Sequence, residues 1–322
     1  MIIGFQYGTY SGAKRLTYEN NVSKAVDNIN AYLLPGHNIF INSRSRKTVT
    51  PGIPTMTQGS KPTDGGNLLF DEEDATAFIK SHPELASYMK TYLGSREFLH
   101  NKKRYVLWLD GVSPALFAHN RDVLARLEKV KATRAKSPTR SVREKAQTPY
   151  LFTEIRQPNT NYMIIPRVSS SRREYMPVGY ESPSIIASDA VWVAPNANII
   201  SFGIISSSVH NFWLKVTAGR MKSDYRYSSA VWNNFPWPNL DDKSRKQISK
   251  TAQGILDARK LYPDSSLADL YDPLTMPVEL RKAHEANDKA VLKAYGLKPS
   301  ATEQEIVQHL FEMYEKLTSK EK

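Results

Sequence analysis

Three charged residues alternate along a short stretch of the chain and are of the types that read the edges of DNA bases. Lys222, Asp224 and Arg226 stand at every second position. In an extended strand they would share one face, with Tyr225 and Tyr227 on the other. A lysine can donate to O6 and N7 of guanine, and an aspartate can accept from N4 of cytosine. A lysine and an aspartate on one face could therefore recognise the two halves of a G·C pair. Taken alone, however, the pattern is more typical of a salt-bridge ladder on a solvent-exposed strand.

The stretch before these charges is patterned as an amphipathic helix. Val209, Phe212, Trp213 and Val216 recur at helical spacing and predict one buried face. Gly219 stands where such a helix should end. The charged stretch is therefore expected to follow directly after a helix with one buried face.

Composition points to a polyanionic partner. The chain has 322 residues with 44 Lys+Arg against 32 Asp+Glu, a formal net charge of +12. Such a surplus favours nucleic acid or an acidic membrane surface. The sequence has neither a signal-peptide layout nor an apolar run of about 18 residues, so we expect a cytoplasmic protein without a membrane partner.

The chain carries no recognisable catalytic motif. It has no cysteine, which excludes disulfides, thiolate zinc sites and cysteine nucleophiles. HExxH, GxSxG, Walker A and a GxGxxG following a strand are also absent from the sequence. We therefore predict no catalytic residues and no bound metal or cofactor in this chain.

Candidate phosphate contacts come from two basic regions and one further arginine. Residues 121–145 hold nine cations against three acids, and a solvated helix face is the alternative explanation there. A second region places two arginines directly after three serines, on a predicted loop. The candidates are Lys129, Arg134, Arg172, Arg173 and Arg220. For all of them a surface role without function stays open.

The remaining pattern predicts an α+β fold. Helical patterns occupy parts of residues 71–92 and 113–137, and short β-rich runs occupy 162–166, 185–187, 190–194 and 198–205. After Pro238 three amphipathic helical segments follow. We expect a recognition domain with a twisted mixed or antiparallel sheet and flanking helices, and then a small all-helical C-terminal domain that packs back on it or on another part of the polypeptide.

Long blocks of this sequence, in order, resemble one family. They include KPTDGGNLL (61–69), RYVLWL (104–109), TPYLFTEIRQP (148–158), IIASDA (185–190), HNFWLKVTAGRMKSDYRYS (210–228) and NNFPWP (233–238). These blocks resemble the target-recognition domain of MmeI-like DNA adenine-N6 methyltransferases, which are single-chain type II restriction–modification enzymes. The tail, with AQGILDAR (252–259), is similar to the helical C-terminal domain of that family.

The resemblance implies that DNA recognition and catalysis belong to different domains of a longer polypeptide. The methyltransferase domain of that family has a glycine-rich S-adenosylmethionine motif and an Asn-Pro-Pro-aromatic loop that holds the flipped adenine, and neither occurs here. Residues 1–50, beginning with a β-like run at 1–7, would connect to that missing domain. Residues 51–238 would recognise double-stranded DNA, and 239–322 would form the helical domain. S-adenosylmethionine would bind to the missing domain, and this chain alone would not methylate.

By the same resemblance, the base-reading positions fall on Asp189, Ala190, Lys222, Asp224 and Arg226. The family varies the pair that matches Lys222 and Asp224 to change the base that is read, so exchanging their signs should favour C·G. Arg226, beside the small Ala190, would read a neighbouring base. Two other functions remain open: a nucleic-acid-binding protein without sequence preference, and a protein-interaction scaffold whose charge only aids solubility.

Overall fold

The computed structural model describes residues 8, 12–17, 22–41 and 47–319, so the β-like run predicted at 1–7 lies outside the described residues. In chain order, the strands are β1 (Lys14–Thr17), β2 (Ser23–Val26), β3 (Thr57–Gln58), β4 (Leu69–Phe70), β5 (Met89–Leu93), β6 (Tyr105–Leu107), β7 (Tyr162–Pro166), β8 (Val168–Ser169), β9 (Gly179–Glu181), β10 (Ile186–Ala187), β11 (Val191–Pro195), β12 (Gly219–Met221) and β13 (Asp224–Arg226). The helices are α1 (Glu72–Ser81), α2 (Ser95–His100), α3 (Arg121–Ala135), α4 (Arg140–Glu144), α5 (Ile199–Ile205), α6 (Ser208–Thr217), α7 (Ser229–Asn233), α8 (Asp242–Lys260), α9 (Leu267–Leu270), α10 (Val278–Ala294) and α11 (Glu303–Ser319).

The strands form small sheets rather than one continuous sheet. One has the order β10-β5-β6-β4, with β10 parallel to β5 and the other neighbours antiparallel. A second, β3-β11-β7-β9, is antiparallel throughout, as is a third, β12-β13-β8. β1 and β2 pair separately. Mixed and antiparallel sheets with flanking helices confirm the predicted α+β class.

The central strand β7 is buried on both faces. Tyr162 and Ile164 contribute to a small apolar cluster with Phe98 of α2, whereas Met163 and Ile165 contribute to the large core. Successive side chains of a strand point to opposite faces, so a strand between two apolar clusters needs an uninterrupted apolar run. This explains why residues 162–166 are readable as a strand from sequence alone.

The C-terminal helices share the large core with the rest of the chain. α8 packs against α5 and α10, and α11 packs against α6. At the crossing of α5 and α8, Gly203 lets the two backbones approach, because a Cβ there would lie 2.8 Å from Cγ2 of Ile248. The helical C-terminal region is therefore confirmed, and it packs back on the recognition part.

One predicted strand is a helix. The run at 198–205 forms α5, and its first turn is capped by Asn198, whose side-chain oxygen accepts from the N–H of Ser201 at 2.9 Å. A short apolar run that is buried on every side has no periodicity that separates helix from strand. The capping asparagine was the available signal for a helix.

Candidate nucleic-acid interface

The predicted charged strand is a β-hairpin. Lys222 and Ser223 form the two-residue connection between β12 and β13, and Met221 pairs with Asp224. Lys222 has a φ of 56°, in the left-handed region, which a tight connection between antiparallel strands requires. The prediction of one continuous strand through Lys222, Asp224 and Arg226 is therefore wrong, because the chain reverses direction at the first of these residues.

Within β13 the predicted alternation holds. Tyr225 is 8% exposed and Tyr227, just beyond the strand, is 1% exposed, and both join the large core. Arg226 is exposed and Asp224 is half-buried. Because Asp224 and Arg226 are two residues apart, they share the face opposite Tyr225. Lys222, also exposed, stands at the hairpin tip next to this face.

The hairpin is held to the protein by a third strand, β8. Arg226 pairs with Val168, and Tyr225 pairs with Ser169. Beyond this ladder the N–H of Tyr227 donates to the carbonyl oxygen of Arg167, at 2.8 Å. The short strand β8 thus fixes the hairpin to the end of the buried strand β7.

The second predicted base-reading segment, Asp189 and Ala190, lies next to Arg167. The Nη1 of Arg167 donates to the carbonyl oxygen of Asp189 at 2.9 Å. The Oγ of Ser95, at the start of α2, accepts from the N–H of Arg167 and donates to the carbonyl of Ala190. Asp189 is half-buried and Ala190 is exposed. The two predicted base-reading segments therefore meet on either side of one arginine.

Arg167 is a residue that the sequence interpretation missed. It is half-buried, and it follows the buried strand β7 directly. An arginine that breaks an apolar run just before a serine-rich loop was the available signal.

The loop after β8 carries two of the predicted phosphate contacts, and we call residues 170–175 the arginine loop. Arg172 is exposed, and its Nη2 pairs with the Oδ2 of Asp272 at 2.6 Å. Arg173 is half-buried, and burial lowers its pKa, while the nearby carboxylates of Asp224 and Asp272 oppose that shift. Arg172 is thus the more accessible of the two, and its charge is already paired.

Two other predicted phosphate contacts are exposed. Arg220, on β12, places its guanidinium 3.9 Å from the ring centroid of Tyr225 and donates to the carbonyl oxygen of Ser223 at 2.9 Å. Arg220 and Tyr225 are paired across β12 and β13, so this stacking holds the cation on the face of the hairpin that Tyr225 occupies, opposite Asp224 and Arg226. Lys129 lies on the exposed side of α3. Contact of either residue with phosphate stays a prediction.

Arg134 is not a surface cation, and its predicted phosphate contact is wrong. Its side chain is 0% exposed. Its five N–H groups donate to five backbone carbonyls, at 2.7–3.1 Å, those of Pro62, Thr63, Lys145, Thr148 and Leu151. An arginine has five donors, so none is left for a ligand. Arg134 joins α3 to two loops, one at residues 62–63 and the other at 145–151.

The described residues contain no group of three or more His, Asp or Glu side chains placed to hold a metal ion. Among those same ranges, no helix combines the length and apolar character needed to cross a lipid bilayer.

A β-hairpin and a neighbouring loop thus stand on a helix-backed α+β domain, which is followed by a helical C-terminal domain. The target recognition domain of MmeI matches residues 35–239, and the C-terminal domain of MmeI matches residues 240–321. The chain therefore belongs to the MmeI family and comprises these two domains.

Two relatives illustrate the match. DNA methyltransferase A of Bacillus subtilis (strain 168) is 36% identical over 305 residues, which are 94% of this chain and 34% of that protein. The solved structure of the Type IIL restriction–modification enzyme MmeI in complex with DNA superimposes with a TM-score of 0.90 at 40% identity, covering 97% of this chain and 42% of that one. The chain thus spans about a third of the curated relative's length.

Proposed function

We propose that this chain is the sequence-specific DNA-recognition module of an adenine-N6 methyltransferase from a restriction–modification system. The observation that carries the proposal is the meeting of the Asp189–Ala190 segment and the Asp224–Arg226 strand around Arg167. Membership of the MmeI family supports it, as does the match to an MmeI structure in complex with DNA. The paired positive and negative side chains suit the donors and acceptors on base edges.

In this proposed role the β12–β13 hairpin would enter the major groove of DNA. That groove admits a two-stranded β-ribbon, and only there do all four base pairs present distinct patterns. Lys222 at the tip would donate to guanine, and Asp224 would accept from the paired cytosine. Arg226, on the same face of β13, would read the neighbouring base next to Ala190. Arg172, Arg173, Arg220 and Lys129 would contact phosphates, and the net charge of +12 would supply attraction independent of sequence.

The chemistry would belong to another domain of the same polypeptide. These 322 residues lack the glycine-rich motif and the Asn-Pro-Pro-aromatic loop of the family's methyltransferase domain, so we assign S-adenosylmethionine to that other domain. The module would place the target adenine for a methyltransferase domain that binds the methyl donor. We place this function in the cytoplasm.

Selection from randomised duplexes tests the proposal. We expect the chain, and more strongly the whole polypeptide, to enrich one sequence with a specificity ratio of roughly 10³ or more over random duplex. Affinity for every duplex should fall steeply as salt rises. Equal binding to selected and random duplexes would favour the sequence-independent alternative. Binding that is absent even at low salt would favour a protein-interaction scaffold.

A further inference from the structure

The arginine loop holds the predicted base-reading carboxylate in place. The N–H of Ser171 donates to the Oδ1 of Asp224 at 3.2 Å. A carboxylate on a short strand next to a hairpin turn has rotamer freedom, and a backbone N–H that binds one oxygen directs the other. The orientation of Asp224 therefore depends on where the loop positions Ser171.

The arginine loop is also bound to the C-terminal domain, through side chains at positions 172, 174 and 175. Arg172 pairs with Asp272 at 2.6 Å, before α10. Glu174 pairs with Arg281 of α10, also at 2.6 Å. The hydroxyl of Tyr175 donates to the Oδ2 of Asp288 of α10, at 2.9 Å. Three of the six loop residues are thus bound to residues of the C-terminal domain, about a hundred positions later in sequence, two of them on α10.

The innermost of these contacts is part of a buried network. Asp288 also accepts, through Oδ1, from the N–H of Ser208 at the start of α6, at 2.8 Å. Tyr175 stacks on His284 of α10, with ring centroids 4.1 Å apart. His284 in turn lies 2.8 Å from the hydroxyl of Tyr271 and is fully buried. A buried, hydrogen-bonded network has few alternative arrangements, so the end of the loop is fixed relative to α10.

We propose that Asp272, Arg281 and Asp288 of the C-terminal domain are positioning residues that set base discrimination at Asp224 by fixing the arginine loop. This inference rests on the proposed function. The three residues act through the loop backbone and Ser171 rather than through the base. The helical domain is thereby a component of sequence recognition, in addition to its packing against α5 and α6.

Asp272 also affects the charge of the arginine loop, and this second effect distinguishes the proposed role from general structural damage. Its carboxylate pairs with Arg172 and lies near Arg173, so it reduces the positive charge of the loop. Removing that charge in Asp272→Asn frees Arg172 to bind a phosphate, which strengthens binding to every sequence. The same change loosens the loop and weakens discrimination. General structural damage would instead weaken binding to all duplexes.

The test compares dissociation constants on single-base variants of the selected duplex, using the whole polypeptide. Asp224→Asn first identifies the base pair whose discrimination depends on that carboxylate. Arg281→Gln and Asp272→Asn are then measured at this pair and at the others. Lys215→Gln is the matched control, since Lys215 pairs with Glu303 of α11 at 3.1 Å. Its side chain is 28% exposed and its partner 47%, against 33% and 52% for Arg281 and Glu174.

We expect Arg281→Gln to reduce discrimination roughly three- to tenfold at the Asp224 base pair alone, as for residues coupled through a shared partner. Asp272→Asn should do the same while binding random duplex more tightly. Lys215→Gln should leave discrimination unchanged at every position. If the wild type discriminates but both variants behave as Lys215→Gln does, the positioning role is refuted. A wild type that discriminates at no position would instead refute the proposed function.

Discussion

Arg167 donates a hydrogen bond from its Nη1 to the carbonyl oxygen of Asp189, and its own carbonyl oxygen accepts from the N–H of Tyr227. One residue therefore bonds to Asp189 of one predicted base-reading segment and to Tyr227, which directly follows the other, and the two segments are more than thirty positions apart in sequence. The guanidinium holds one segment and the backbone holds the other. We infer that the relative position of Ala190 and Arg226 depends on this residue.

Replacing Arg167 should damage specific binding more than stability. In Arg167→Met the bond to Asp189 is lost while the backbone contacts to Tyr227 and Ser95 remain. We expect affinity for the selected duplex to fall about tenfold or more, because Asp189 and Ala190 are no longer held in position beside Arg226, and affinity for random duplex to change little. Arg143→Met is the control, since within the described part of the chain the guanidinium of Arg143 donates to the nearby carbonyls of Ser137 and Pro138. Equal losses in both variants would contradict this role.

Exchanging the charges of the hairpin pair should reverse the polarity of the base pair that is preferred. In the double variant Lys222→Asp with Asp224→Lys, the hydrogen-bond acceptor and donor exchange positions. The variant should therefore bind a duplex with C·G at this position roughly tenfold or more tightly than one with G·C. Overall affinity should also fall, because a lysine at 224 cannot accept from the N–H of Ser171. Binding to duplexes with each base pair at that position measures both effects. Uniform weakening without a change of preference would show that the pair does not read bases.

Removing the buried guanidinium of Arg134 should destabilise the protein strongly. In Arg134→Met five backbone carbonyl oxygens lose the same buried donor group at once. We expect the free energy of unfolding to fall by about 3 kcal/mol or more, measured by urea denaturation. Arg140→Met, at a side chain that is 86% exposed, should change it by less than about 0.5 kcal/mol. Comparable effects would mean that Arg134 does not hold the loops.

A methyl group at Gly203 should separate α5 from α8. In Gly203→Ala the new Cβ would lie 2.8 Å from Cγ2 of Ile248 and 2.9 Å from Cβ of Ala252. Overpacking of this kind costs about 1–3 kcal/mol, partly offset by the better helix propensity of alanine. Gly254→Ala, on α8 with no atom within 4 Å of the added Cβ, should stabilise by about 0.5–1 kcal/mol. Stabilisation by both substitutions would exclude a close crossing.

Asp288 should make the protein less stable as the pH rises, whereas a carboxylate with a lowered pKa has the opposite effect. Burial raises its pKa from an ordinary value of 3.8 to about 6, although hydrogen bonds from Ser208 and Tyr175 oppose the shift. The folded state thus holds this proton more tightly than the unfolded state. Its contribution to stability is complete below pH 3.8 and is lost as the pH rises through 6.

The pH dependence is measured against a variant that does not titrate at this position. Between pH 4 and 7 the unfolding free energy of the wild type should fall relative to Asp288→Asn by an amount on the order of 2–3 kcal/mol. The exposed Asp257 is the control, because hydrogen bonds from Gln253 and Lys260 lower its pKa and the trend for Asp257→Asn should be reversed. If the difference in unfolding free energy between the wild type and Asp288→Asn stayed constant over this pH range, the pKa of Asp288 would not be raised in the folded state.

The amino-acid sequence by itself determined the features that depend on neighbouring residues. The apolar run at 162–166 specifies a buried strand, and the helical spacing of Val209 and Trp213 specifies the buried face of α6. The alternation of Asp224, Tyr225 and Arg226 correctly predicted which side chains point inward. Each of these patterns repeats within a few residues, so local periodicity carries it. The family, too, was recognisable from blocks of contiguous sequence.

Only the tertiary structure determined which residues from separate segments of the chain are in contact. Arg134 looks like the other cations of its helix, and it is buried because five carbonyls from distant loops converge on it. The β12–β13 hairpin is joined to the rest of the protein by pairing of β13 with β8, from a part of the chain some 55 residues earlier. The bond of Arg167 to Asp189 and that of Ser171 to Asp224 also join separate segments. Such contacts have no periodicity along the chain, because packing and hydrogen bonding between segments determine them.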